Sequence, residues 1–305
     1  MAARDEQHGD QPRRDPHRHA ASVAQNLARL LVGTCIGTCI GTSIGACGGG
    51  SDGPAVDAAP CVDPGHDEDG DGVGDRCDIC PAAPDPDQRD TTERAVGNFE
   101  DRVGDACDPR GTLSGDTLAA LHTFADAADA ALWTGSGWTI AGDAAHATDA
   151  ARWASNRREQ GSGVYVAATV TALAWRAGGA FELAIDGDGS VGVTCRILAD
   201  RDADGFDELE AREIGGETLT RRLSAAITTE DPVMVTAWRT VDREQRGRIT
   251  CRVRIGGHGG ATTELALATV DGATTGSYAM AATEVTVEVA SVVVYTSPLL
   301  SKNPP

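Results

Sequence analysis

The stretch from Cys61 to Asp108 cannot fold as an ordinary globular chain folds, because it carries 15 Asp and Glu against 4 Arg. Carboxylates at this density repel one another and cannot fill a hydrocarbon core. They make sense around a hard divalent cation, and Ca²⁺ takes about six to eight oxygens at about 2.3–2.6 Å. From Asp67 the chain reads D-E-D-G-D-G-V-G-D-R-C-D. A calcium loop asks for ligands at positions 1, 3, 5, 7, 9 and 12, the seventh through a backbone carbonyl, with glycine at 6. Asp67, Asp69, Asp71, Val73, Asp75 and Asp78 fill those places, and Gly72 stands at the turn. The last ligand is Asp rather than Glu, and no helical periodicity flanks the loop. The pattern predicts a calcium loop without paired helices.

The string D-x-D-x-D-G-x-G-D-x-C-D-x-C-P, from Asp67 to Pro81, resembles a thrombospondin type 3 repeat. That resemblance covers roughly 48 of the 305 residues. It implies a chain wrapped around calcium ions and stapled by disulfides between neighbouring cysteines, here Cys61–Cys77 and Cys80–Cys107. A second copy follows, in which Asp101, Gly104, Asp105, Cys107 and Asp108 match Asp71, Gly74, Asp75, Cys77 and Asp78. Gly97, Phe99 and Arg102 replace Asp67, Asp69 and Gly72, so this loop has lost two ligands and its turn glycine. It is either a second ion site or a spacer that binds none. Asp85, Asp87 and Asp90 resemble the acidic stretch between repeats and are expected to lend oxygens.

Six cysteines lie beyond the N-terminal apolar stretch, and six allow 15 pairings. With the two pairs implied above, Cys195 and Cys251 remain for each other. An even set in an exported chain reads as a disulfide framework. The rival for Cys77-x-x-Cys80 is a redox or zinc pair, which the surrounding carboxylates suit less well. Residues 1–46 are expected to be a signal region, polar at first and then apolar and glycine-rich from Leu27. Its end, Ile44-Gly45-Ala46-Cys47, resembles a bacterial lipobox. This implies lipidation at Cys47, a membrane anchor, and a surface lipoprotein on the outer membrane of a Gram-negative cell. Residues 47–60 form a tether spanning roughly 20 Å. The net charge of −20 leaves no basic footprint for nucleic acid.

After the acidic segment, residues 61–110, the chain changes character. Residues 111–300 are rich in Val, Ala and Thr in period-two runs. In R-I-T-C-R-V-R-I, Ile249, Cys251, Val253 and Ile255 share one face. Val191, Val193, Cys195 and Ile197 do the same, so both cysteines are in phase with core residues, which supports a bond between two strands. Further strands are expected at Trp138–Ala141, Val164–Ala174, Ala180–Asp186, Val233–Arg239, Thr263–Val270 and Glu284–Tyr295. A helix is expected only at Leu118–Leu132. The fold class is mainly β, a C-terminal jelly-roll-type β-sandwich preceded by the calcium-bound, disulfide-stapled segment. Gly276 to Tyr295 resembles the last strands of laminin G-like and concanavalin-like sandwiches.

Asp200, Asp202, Asp204 and Glu208 form a second acidic turn, either half a calcium loop or a solvated hairpin. Glu208, Glu210 and Arg212 share a strand face and are expected to be exposed. The histidines are expected at the surface, and most tryptophans in the core. No G-x-S-x-G, H-E-x-x-H, P-loop or dinucleotide fingerprint occurs. The expectation is a calcium-binding cell-surface lipoprotein, not a catalyst. Its acidic stalk would lift a sandwich that serves as an adhesion module or binds carbohydrate or a surface protein. The alternatives are a secreted polysaccharide-acting enzyme and an inert envelope spacer.

Overall fold

The computed structural model describes residues 65–186, 192–200, 205–213, 215–229, 231–241, 246–256, 260–269 and 275–298. Cys47, Cys61, Asp202 and Asp204 lie outside the described residues. The strands are β1 (Thr117–His122), β2 (Trp133–Ala141), β3 (Ala144–Ser155), β4 (Glu159–Gln160), β5 (Gly163–Asp186) and β6 (Gly192–Leu198). They continue with β7 (Glu208–Glu213), β8 (Thr218–Arg222), β9 (Val233–Val241), β10 (Gly247–Ile255), β11 (Ala261–Thr269) and β12 (Thr275–Ser297). One helical turn, α1 (Thr92–Ala95), lies in the acidic segment.

Two long strands organise the sandwich. The first part of β5 pairs with β9 and its last part with β6, and β12 runs antiparallel beside it along both parts. One layer therefore runs β11-β10-β9-β5-β12-β1 and the other β2-β3-β12-β5-β6-β7-β8. The sequence predicts two strands, Val164–Ala174 and Ala180–Asp186, where β5 is one. Gly178 takes φ 81°, and a Cβ on Gly179 would lie 2.5 Å from the carbonyl oxygen of Glu284. The glycines let β5 bend against β12 without leaving the sheet.

Period-two alternation builds the core. In β10, Ile249, Cys251 and Val253 are fully buried, and they join Val235 of β9, Val166 of β5 and Ile197 of β6 in one cluster. Cys195 and Cys251 are disulfide-bonded with Cα atoms 5.4 Å apart, tying β6 to β10 across the two layers. The expected helix at Leu118–Leu132 is not formed. Residues Thr117–His122 are β1, paired with β12, and Ala127–Leu132 is a 3₁₀ turn capped by the Asp126 side chain. The alternating burial of Ala120 and His122 toward the core outweighs the helix propensity of the alanines and leucines.

The acidic segment does not project as a free stalk. Val103 is 1% exposed and packs with Ala167 of β5 and Val293 and Tyr295 of β12, flanked by Ala82, Met234 and Tyr165. These residues form the outer face of the β9-β5-β12 layer. Cys80 and Cys107 are bonded within the segment, and Cys77 is also disulfide-bonded.

Candidate metal centre

The first loop closes on itself through its own carboxylates. Asp67 accepts the amides of Gly70 and Gly72 at 2.9 and 3.0 Å. Gly72 takes φ 96°, the left-handed turn that glycine adopts without strain. Asp69 accepts the Asp71 amide at 3.1 Å, and Asp71 accepts Val73 and Asp85 amides, both at 2.8 Å. Oxygens of Asp67, Asp69 and Asp71 lie within 4.8 Å of one another. That is about twice a calcium–oxygen bond, so the three fit one coordination sphere. Asp75 is used differently. Its carboxylate accepts the Glu68 amide at 2.9 Å and meets His66 Nδ1 at 3.0 Å. Asp78 accepts the Cys80 amide and Gln88 Nε2, and exposed Asp87 pairs with Arg89.

The second loop repeats this construction. Asp101 accepts the amides of Val103, Gly115 and Asp116 at 3.0, 2.8 and 2.7 Å. Asp108 accepts Arg110 as Asp78 accepts Cys80. Asp105 accepts the Thr91 and Thr92 amides, both at 2.9 Å. Its partial burial would raise its pKa, but these N–H donors hold it below the usual carboxylate range. Two acidic trios stand here that the motif does not contain. Oxygens of Asp90, Glu93 and Asp101 lie within 4.8 Å of one another, as do those of Asp101, Asp108 and Asp116. Glu93 and Asp116 were not legible as site residues. The available signal was Glu93 three residues after Asp90, at the start of the short turn α1.

Six buried carboxylate oxygens in the two loops have no hydrogen-bond partner: Asp69 Oδ2, Asp85 Oδ2, Asp90 Oδ1, both Glu93 oxygens and Asp108 Oδ2. Burial pushes the Asp69 carboxyl up to about 7, with Asp71, Asp78 and Asp67 adding repulsion. Burial likewise raises Asp85, Asp90 and Asp108, helped respectively by Asp87, Glu93 and Glu93. Orphaned anionic oxygens at these spacings suit a hard oxygen-seeking cation, so the residues fit calcium.

Beside the second loop, a groove of about 590 Å³ runs between the segment and the sheet, lined by Thr92, residues 109–113, Ser162 and Trp238. Trp238 is half-buried on the outer face, edge-on to Tyr165, and its buried indole N–H has no partner. Trp133, Trp138 and Trp153 are core residues. His122 is also buried rather than at the surface, with Nε2 2.7 Å from the Tyr278 hydroxyl. Glu208 and Glu210 are buried, not exposed, and Arg196 reaches Glu210 at 2.9 Å across the β6–β7 ladder. Asp200 accepts the Gly205 amide at 3.0 Å.

No protein-family model and no curated protein matches the chain. Solved structures similar to it include GH43B of the Bacteroides ovatus xyloglucan PUL, with TM-score 0.43 and 12% identity over 60% of this chain. This chain spans only 40% of that one. A non-specific endo-β-1,3(4)-glucanase of family GH16 gives TM-score 0.44 and 12% identity, covering 61% of this chain and 92% of the glucanase. A legume lectin-like domain from Entamoeba histolytica gives 0.40 and 9%, covering 54% and 90%. The expectation that the chain is not a catalyst is corrected here. The solved structures that resemble it are mostly glycoside hydrolases, and catalysis is no longer set aside.

Proposed function

We propose that the chain is an exported calcium-binding module whose ion-ordered acidic segment walls a carbohydrate-binding groove on a β-sandwich. The observation that carries this reading is the set of six buried, partnerless carboxylate oxygens on Asp69, Asp85, Asp90, Glu93 and Asp108. Buried anionic oxygens of this kind suit a hard cation, and the extracellular side supplies calcium at concentrations that suit sites with Kd of about 10⁻⁴–10⁻³ M. Disulfides at Cys80–Cys107 and Cys195–Cys251 agree with an oxidising compartment. Lipidation at Cys47 and an outer-membrane location rest on the lipobox resemblance.

The groove is the proposed glycan site because Trp238 offers a half-buried ring beside the hydroxyl-bearing Ser162 and Thr240. Aromatic rings stack on the apolar faces of sugars while hydroxyls and N–H groups fix their orientation. Binding to a panel of polysaccharides, measured with calcium and with chelator, tests the reading. Retention that disappears in chelator and in Trp238→Ala supports it. Retention that survives both contradicts it. Assaying the same polysaccharides for new reducing ends tests cleavage directly.

A further inference from the structure

Oxygens of Asp90, Glu93 and Asp101 lie within 4.8 Å of one another beside the groove, Asp108 joins Asp101 and Asp116 in an adjoining trio, and only Asp101 and Asp108 belong to the repeat pattern. Glu93 is fully buried on α1, and neither of its oxygens has a partner. Asp90 Oδ1 and Asp108 Oδ2 are also buried without partners. Nearby Arg110 is already committed to Asp116, with Nε 3.0 Å from both carboxylate oxygens. It therefore balances Asp116 and leaves the other four carboxylates facing one another. Phe99, where the first loop has Asp69, points outward and is 87% exposed. The second loop has lost its first two ligands in sequence, and the oxygens of Asp90 and of Glu93 on α1 lie beside Asp101.

We infer that the second loop holds its own divalent cation of the calcium class, with Glu93 and Asp90 standing in for the missing repeat ligands beside Asp101 and Asp108. The inference rests on the calcium reading of the acidic segment and extends it to Glu93, a ligand the repeat resemblance does not supply. It also gives the ion a task. Thr92, next to Glu93, and residues 109–113, next to Asp108, form one wall of the groove. The Arg110 amide donates to Asp108 at 2.6 Å, and the Gly115 and Asp116 amides donate to Asp101 just before β1. An ion drawing Glu93 and Asp108 together fixes that wall against β1, so the groove facing Trp238 is shaped by occupancy of this site. The remaining coordination comes from carbonyl oxygens or water, since calcium takes about six to eight ligands.

Native mass spectrometry and calorimetry with CaCl₂ on the full chain test this, comparing wild type with Glu93→Gln and Asp69→Asn. Glu93→Gln keeps the shape and removes the charge. It should lose one ion, or weaken one binding class at least tenfold, while the ion lost in Asp69→Asn remains. In chelator, Glu93→Gln should melt above wild type, because one of the facing carboxylates is gone. This second readout separates ligand loss from misfolding. If Glu93→Gln keeps the wild-type ion count, affinity and chelator melting point while Asp69→Asn loses an ion, the second site is overturned and the first-loop reading stands. If wild type takes up no calcium at 10-fold above the expected range, about 10 mM, both readings fall.

Discussion

Asp71 and Asp101, thirty positions apart, hold matching bonds. Each accepts the amide two residues ahead through Oδ1, at 2.8 and 3.0 Å, and the amide fourteen ahead through Oδ2, at 2.8 Å in both. The two loops are therefore one construction used twice, although their ligand sequences differ. Asp101→Ala removes three acceptor bonds at the junction with β1. We predict a loss of about 2–3 kcal/mol in local stability, since each buried amide left unpaired costs about 1–3 kcal/mol and relaxation recovers part of it. Hydrogen exchange at Val103, Gly115 and Asp116 reads this directly, and unchanged protection would contradict it.

Val103 is the apolar anchor of the segment on the sheet. Burying a valine side chain is worth roughly 1.5–3 kcal/mol. Val103→Asp replaces that burial with a charge facing Ala167, Val293 and Tyr295. The segment should become cleavable by protease even with calcium present, while the melting of the sandwich changes little. Equal protease resistance in variant and wild type would show that Val103 is not the anchor.

The Cys195–Cys251 bond closes a sequence separation of 56 between the two layers. In the chain-entropy model a loop of this length contributes about 4 kcal/mol. The double variant Cys195→Ala/Cys251→Ala, which fills both buried positions with small apolar groups, should lose about that much in denaturant unfolding. A loss below about 1 kcal/mol would contradict an important role for the bond.

His122 gives the sandwich an acid limb of its own. Burial, with a further push from Arg157, lowers its pKa from 6.5 to about 4. Tyr278 shares its hydrogen bond, and Phe124 and Trp133 close over the ring. The unfolded chain takes the proton near 6.5 and the folded chain only near 4. The stability from neutral His122 is therefore complete above pH 6.5, is lost as pH falls from 6.5 toward 4, and levels off below. The loss amounts to about 3 kcal/mol at most. His122→Phe should start less stable at neutral pH, because Tyr278 keeps Ser155 but loses its bond to His122, and should fall less steeply across this window. An equally steep fall in the variant would assign the acid limb to other groups.

Legibility followed locality. The alternation at Ile249, Cys251, Val253 and Ile255 is written in consecutive residues, so β10 and its core face could be read directly. β5 could not be read as one strand, because the bend at Gly178-Gly179 is resolved only by the approach of Glu284 from β12. Asp67, Asp69 and Asp71 announce themselves by spacing. Glu93 does not, since its part depends on three-dimensional closeness to Asp101 and Asp108. A single valine in an acidic run gave no hint that Val103 docks on Tyr295. The buried states of His122 and Glu210 also depend on partners far along the chain, Tyr278 and Arg196.

In the reading proposed above, a divalent cation completes the order of residues 65–116. The most direct test is hydrogen exchange on the full chain in calcium and in chelator, at matched ionic strength. The account predicts that protection at the Asp71, Val73, Asp85, Val103 and Gly115 amides falls at least tenfold in chelator, returns with added calcium, and stays constant in β9 and β10. Identical protection of those amides in both buffers would contradict it.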